Sequence, residues 1–288
     1  MSEAQHLTQK LGGEWRGFRG SAPCPVCQPE RRADQRALSL RHEGGRLLAF
    51  CHKQGCSFRT ILDAAGLPAE ALTLDTQAQR EAEAKRATYD AEQMAKAARL
   101  WSSARPIRGS KGEAYLRGRG ITCALPEALR WAADAYHGPS ARFLPAMVAR
   151  VSTGAVHRTY FERSGARLGG NAKMMLGACS GGAVPLVQGA GPLVVAEGIE
   201  TALSLACGLL DGPATIWAAL SAPGLRALHL PDTPGALIIA ADGDAPGKAA
   251  AVRLAERACG LGWSVTLFPA PEGRDWNDIL QSMKGAAE

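Results

Sequence analysis

The sequence predicts an α/β protein in three parts: a small β zinc-binding segment, a basic mixed α+β middle, and a C-terminal parallel α/β sheet. Three observations carry this. From residue 192 onward, the apolar runs LVVA, TIWAAL, ALIIAA and WSVTLFPA alternate with the helical segments IETALSLACGLL, LRALHL, PGKAAAVRLAERACG and DWNDILQSM. Two of those runs end in acids, Glu197 after LVVA and Asp242 with Asp244 after ALIIAA. Four of the eight cysteines stand in close pairs near the N-terminus, Cys24 with Cys27 and Cys51 with Cys56. Strand-helix alternation gives a parallel sheet whose ligands gather at the carboxyl ends of its strands. Carboxylates crowded at such an edge repel one another unless a cation sits between them, so divalent metal is expected there.

At 288 residues the chain has room for about two domains. It contains no apolar stretch of about 18 residues, and MSEAQHLTQK lacks a signal-peptide core, so a cytoplasmic protein without membrane contact is expected. The net charge of +6 is unevenly spread: residues 1–60 hold ten Lys and Arg against five acids, residues 61–188 hold 17 against 11, and residues 189–288 hold six against 11. A basic front and middle joined to an acidic end suits a polyanion held by the first two parts and metal-assisted chemistry at the third. Composition divides the chain into a zinc-binding segment (1–66), a helical linker (67–104), a basic subdomain (105–188) and the α/β segment (189–288).

In the first segment, ALSLRHEGGRLLAFC at 37–51 alternates as a β-hairpin turning at Gly44 and Gly45. Cys24-x2-Cys27 and Cys51-x4-Cys56 flank it at tight turns, the spacing of a zinc ribbon in which four thiolates meet one tetrahedral ion. His52 is an alternative ligand to one thiolate. So small a unit needs such a staple, because its core alone is insufficient. Arg31, Arg32, Arg36, Arg41 and Arg46 give the segment a cationic surface.

Residues 69–104 lack Gly and Pro and are rich in Ala, Glu, Lys, Arg and Gln, which predicts an exposed helix packed only near Leu100 and Trp101. KGEAYLRGRGI at 111–121 predicts a short helix stopped by glycine, and FLPAMVARVST with AVHRTYFERSG predicts two strands around a Gly turn.

Three peptides supply the acidic cluster: Glu197 in VVAEGIET, Asp242 and Asp244 in AADGDAPG, and Asp275 with Asp278 in GRDWNDIL. Asp242 and Asp244, two apart in an extended turn, point the same way and suit one or two hard cations, with Gly243 allowing a tight bend between them. Magnesium completes its shell from a few carboxylates, waters and substrate phosphates, which suits phosphoryl transfer. Asp275 also fits a helix N-cap, and Glu200 fits a first-turn acid favoured by the helix dipole rather than a ligand. GDAPGKAA is not a phosphate loop of the Walker type: its glycines are too close and Lys248 precedes Ala.

An acid after an apolar strand in the form EG-x-E-T-A, a D-x-D after the next long strand, and D-x-N-D before a terminal helix resemble the Toprim domain, whose sheet is Rossmann-like. With LGGEWRGFRGSAPCPVC and FCHKQGCSFRTILDAAGL as the zinc part, and HRTYF and AKMMLG as the basic stretch, the order resembles that of bacterial, phage and plasmid-type DNA primases. The resemblance implies synthesis of short RNA primers from NTPs on single-stranded DNA, alongside a separate replicative helicase. It implies a structural Zn2+ on Cys24, Cys27, Cys51 and Cys56 and catalytic Mg2+ or Mn2+ on Asp242, Asp244 and Glu197, with Asp275 and Asp278 as further acids. Arg158 and Lys173 match basic positions that face nucleotide or template.

A topoisomerase needs a nucleophilic tyrosine on a DNA-gripping domain, and Tyr89, Tyr115, Tyr136 and Tyr160 all lie upstream with no region large enough for a strand gate. A Toprim nuclease is the enzymatic rival, since the same acids and metal could activate water. A non-catalytic zinc and Toprim adaptor that binds DNA is the third reading; a purely structural role would not sustain the repulsion of the acid set.

Overall fold

Burial alternates along residues 38–51, so one face of that hairpin must be covered. The computed structural model describes residues 2–32, 34–43, 46–67 and 76–285. In it, β1 (Glu14–Trp15), β2 (Arg19–Ala22), β3 (Leu38–Glu43) and β4 (Arg46–Cys51) form an antiparallel sheet in sequence order. The expected turn at Gly44 and Gly45 lies outside the described residues, while its flanks pair as Glu43 with Arg46. Helices α1 (Glu3–Lys10) and α2 (Phe58–Ala64) begin at Ser2 and Ser57, whose hydroxyls accept from Gln5 and Thr60 N–H. Leu7 and Leu11 meet Leu38, Leu40, Ile61 and Leu62 in a core that also takes in Cys24 and Cys51.

The chain divides into two compact units, 1–92 and 93–288. The division falls within α3 (Thr76–Ser103), the helix expected from residue 69; residues 69–75 lie outside the described residues. At its packed end, Ala97, Leu100 and Trp101 join a core with Ala132, Ala146 and Tyr160, and the Arg130 guanidinium lies 4.4 Å from the Trp101 ring centre.

The second unit holds two sheets. Strands β5 (Arg105–Pro106), β6 (Leu129–His137), β7 (Arg142–Arg150), β8 (Val156–Tyr160) and β9 (Lys173–Leu176) run antiparallel in sequence order, with α4 (Lys111–Gly118) between β5 and β6. The helix and the Gly-turned strand pair expected there are both present.

The other sheet is the predicted parallel one, built from β10 (Val184–Val187), β11 (Leu193–Ala196), β12 (Thr215–Ala218), β13 (Ala236–Ala240) and β14 (Ser264–Leu267), with α5 (Ile199–Ser204), α6 (Ala222–Ala227), α7 (Ala245–Gly260) and α8 (Trp276–Gly285) interleaved. Its order is β10-β12-β11-β13-β14; only the edge strand β10, which precedes residue 189, runs antiparallel. Successive residues of β11 serve opposite faces: Val194 packs with Leu116, Phe161 and Leu203, whereas Val195 packs with Leu225, Leu254 and Trp263. After β11 the chain goes to one side, then returns to the other, so β11 and β13 flank a topological switch point. No described helix is long and apolar enough to cross a membrane.

Candidate functional site

The β11/β13 ladder ends with Ala196 opposite Ala240, and the next polar residues on the two strands are Glu197 and Asp242. The two acids therefore emerge at the same sheet edge, at the switch point. Glu197 is half-buried before Gly198, the N-cap of α5, and Asp242 is half-buried after Ala241. The Thr201 hydroxyl donates to Asp242 Oδ1 at 3.4 Å. Asp244 is exposed and caps α7, its Oδ1 accepting from Gly247 N–H at 2.7 Å. Asp275 and Asp278 cap reciprocally: Asp278 N–H donates to Asp275 Oδ1 at 2.8 Å and Asp275 N–H to Asp278 Oδ2 at 3.2 Å. Asp278 thus has a helix-start role, while the charge of Asp275 is felt at Asp242.

Two main-chain bonds hold these peptides together. Gly243 N–H donates to Arg274 O at 2.8 Å, and Gly273 N–H to Gly243 O at 3.3 Å. A Cβ on Gly243 would sit inside the van der Waals contact distance of the Pro271 carbonyl oxygen, which is backbone and cannot swing away. Close approach, rather than the sharp bend expected from sequence, is what requires glycine here. Gly243→Ala should separate the Asp242 and Asp275 peptides and cost about 2 kcal/mol or more of stability. Urea unfolding and magnesium titration of the variant would check both losses together.

Negative charge accumulates at this edge. Burial, then the charges of Glu197 and Asp275, push the Asp242 carboxyl up to about 7, against the Thr201 hydrogen bond. Burial and then Asp244 raise Glu197 as well. A cation would relieve this. Among the described residues, only the cysteine quartet brings three or more metal-ligating atoms within reach of a single ion. The acids are coupled by charge and do not converge on one point.

The basic residues are placed differently from the acids. Lys173 Nζ donates to Glu200 Oε2 at 3.0 Å, and Tyr115 OH to Glu200 Oε1 at 3.1 Å. Burial alone would raise Glu200, but the Lys173 charge and hydrogen bond outweigh it and hold the carboxyl low. Glu200 is therefore an interior anchor as well as a first-turn acid, a role its position in the motif did not reveal. Lys173 remains about two-fifths exposed, and its charge also eases Glu197. Arg158 is 7% exposed, and its guanidinium donates to Tyr136 O, Tyr160 OH and Met175 O. It braces the sheet from inside, with its charge turned away from solvent. Arg158→Ala should lower unfolding free energy by about 2–4 kcal/mol, measured in urea, because buried carbonyls lose their donor.

The sulfurs of Cys24, Cys27, Cys51 and Cys56 all lie within 4.8 Å of one another, close to the roughly 3.8 Å separation that Zn–S bonds of about 2.3 Å impose on a tetrahedron. The quartet fits a structural zinc ion. Burial would raise the Cys51 thiol, but the N–H groups of Gln54, Cys56 and Lys53 turn toward the sulfur and lower it, while burial and the neighbouring sulfurs raise Cys27 and Cys56. Gln28 Oε1 accepts from Cys24 and Ala37 N–H and so fixes the first turn. His52 instead lies 3.0 Å from Ser39 Oγ, outside the quartet.

On the same sheet, Phe18, Arg19, Arg41, Phe50, Arg86 and Tyr89 line a groove of about 570 Å³. The Phe18 and Tyr89 rings lie 5.1 Å apart with the Arg19 guanidinium within 5.9 Å of both, and Phe50 is 60% exposed. Sequence reasoning named Arg41 among the arginines of this segment and missed Arg19, Arg86 and the aromatics, which come together only through strand pairing and α3.

Residues 192–287 match the family model of the Toprim domain, and residues 91–186 match a domain of unknown function (DUF7146). A search of curated proteins gave no match. Among solved structures, the chain is similar to an Aquifex aeolicus primase comprising zinc-binding and RNA polymerase domains: 12% identity, 100% of this chain and 84% of that one, TM-score 0.41. It is also similar to a DNA primase domain from Pseudomonas aeruginosa, at 16% identity over 66% of this chain and 73% of that one, TM-score 0.37. A third is the RNA polymerase domain of Mycobacterium tuberculosis primase DnaG, at 17% identity over 69% and 80% of the two chains, TM-score 0.35. The chain thus carries a C-terminal Toprim domain behind an N-terminal cysteine quartet that fits zinc.

Proposed function

We propose that the protein is a DNA primase that makes short RNA primers on single-stranded DNA. The observation that carries this is the acidic edge of the Toprim domain, where the charges of Glu197, Asp242 and Asp275 act on one another at the switch point of the sheet. Asp242, with Glu197 and Asp244 beside it, would hold Mg2+ or Mn2+, which supplies charge neutralisation at the reacting phosphate and activates the attacking hydroxyl. Thr201 fixes the orientation of Asp242 through its hydrogen bond. Glu200 tethers the Lys173 side chain at the neighbouring surface, within reach of an anionic ligand. Asp275 adds charge from the third peptide, while Asp278 secures the helix start behind it.

Single-stranded DNA is favoured as the template because the zinc-bearing unit presents rings for base stacking beside arginines for phosphates. The test is direct. Purified protein given single-stranded DNA, labelled NTPs and magnesium should yield short RNA products that disappear with Asp242→Ala. If the protein incorporates nothing and shortens labelled DNA or RNA instead, the same acids serve a nuclease.

A further inference from the structure

Four cysteines lie outside the zinc quartet, and two of them meet. Cys123 is in the segment between α4 and β6; Cys207 is in the widened turn Leu205–Leu209 that continues α5, where Cys207 and Gly208 leave helical angles. Cys123 N–H donates to Cys207 Sγ at 3.4 Å, and the Cys123 thiol donates to Leu203 O at 3.8 Å. Both residues are partly exposed. Cys123 lines a cleft of about 340 Å³ with Val187, Leu205, Ala206, Gly208 and Ile216. The other two cysteines have no such neighbour among the described residues: Cys179 donates to Val156 O and Cys259 lies exposed on α7.

We propose that Cys123 and Cys207 are a reversible oxidation site, a dithiol that a peroxide converts to a disulfide. One thiol attacks a peroxide oxygen; the O–O bond breaks, the departing oxygen leaves as water with the thiol proton, and the sulfur becomes a sulfenic acid. The other thiol then attacks that sulfur, the S–O bond breaks, and a second water leaves with its proton. Two thiols lose two protons and two electrons, and one peroxide becomes two waters. A dithiol reductant reverses the change by exchange.

The disulfide would join two segments already pinned by a third. Asn277, fully buried at the start of α8, donates to Arg119 O at 2.9 Å and to Ser204 Oγ at 2.8 Å. The crosslink would tie the chain beyond Arg119 to the chain beyond Ser204 and lock this junction beneath the Asp275 peptide.

The zinc-loaded full-length protein should be treated with one equivalent of hydrogen peroxide, blocked with N-ethylmaleimide and digested without reductant. The expected result is a single crosslinked species joining the Cys123 and Cys207 peptides, two hydrogens lighter than their sum and cleaved by dithiothreitol. In Cys207→Ser and in Cys123→Ser the species should vanish, and in at least one of the two the remaining cysteine should stop at the sulfenic acid and be trapped by dimedone. Full alkylation of both cysteines after peroxide, or their separate over-oxidation in the wild type, would overturn the proposal. Neither readout depends on primer synthesis, so it stands or falls apart from the proposed function.

Discussion

Asp242→Asn should reduce nucleotide incorporation by on the order of a hundredfold or more, since a catalytic metal supplies several kcal/mol of charge stabilisation and each 1.36 kcal/mol is a factor of ten. The same substitution should stabilise the metal-free fold. Burial and the surrounding acids raise the Asp242 carboxyl to about 7 in the folded state, well above its unfolded value. Below the unfolded pKa both states hold the proton and the group costs nothing. As pH rises from the unfolded pKa to about 7 the unfolded chain releases the proton that the folded state keeps, so stability falls across that window and then levels off. In EDTA at pH 8, Asp242→Asn should therefore melt above the wild type, and the gap should narrow by pH 5 and close only below about pH 4. Magnesium should raise the wild-type Tm more than that of the variant at pH 8. Equal melting of the two proteins across that range would show that Asp242 is not the strained member of the cluster.

Removing zinc should collapse the first unit. Four cysteine sulfurs share a centre beside a core that includes Leu38, Leu40 and Ile61, so loss of the ion removes the crosslink that joins the two cysteine turns to that core. Structural zinc in small domains contributes about 10–16 kcal/mol of apparent binding free energy at neutral pH, more than such a unit can replace from its own core. Elemental analysis of protein purified without chelator should give one zinc per chain. Cys27→Ser should lose that ion and expose residues 2–67 to limited proteolysis while the Toprim domain resists. Binding to single-stranded DNA should weaken in parallel, because the Phe18, Phe50 and Tyr89 groove is built on the strands that the ion fastens.

Much of this was legible in the residues themselves. The parallel sheet followed from apolar runs spaced by helical segments, and the acids stood out because carboxylates at strand ends are unfavourable without a partner. The cysteine pairs carried their own spacing. What escaped was tertiary. Arg158 looked like a charge for a ligand, yet its acceptors are two main-chain carbonyls and a tyrosine hydroxyl, groups with no signature in the order of residues. The partner of Glu200 lies on another sheet, so its burial could not be read from the motif that contains it. The D-x-N-D peptide admitted both a cap and an acid, and the structure gives Asp275 a share in each.

The hydrogen bonds between Gly243 and the 273–274 main chain have a bearing on how the site could be altered. Side chains elsewhere in a protein set spacings that a longer or shorter residue can adjust. Here the interval between the Asp242 and Asp275 peptides is fixed by amide groups of invariant length, with the Pro271 carbonyl barring any larger residue at Gly243. An engineer seeking a different ion would find the frame unyielding, and would have to exchange the carboxylates themselves, aspartate for glutamate, within a gap of constant width.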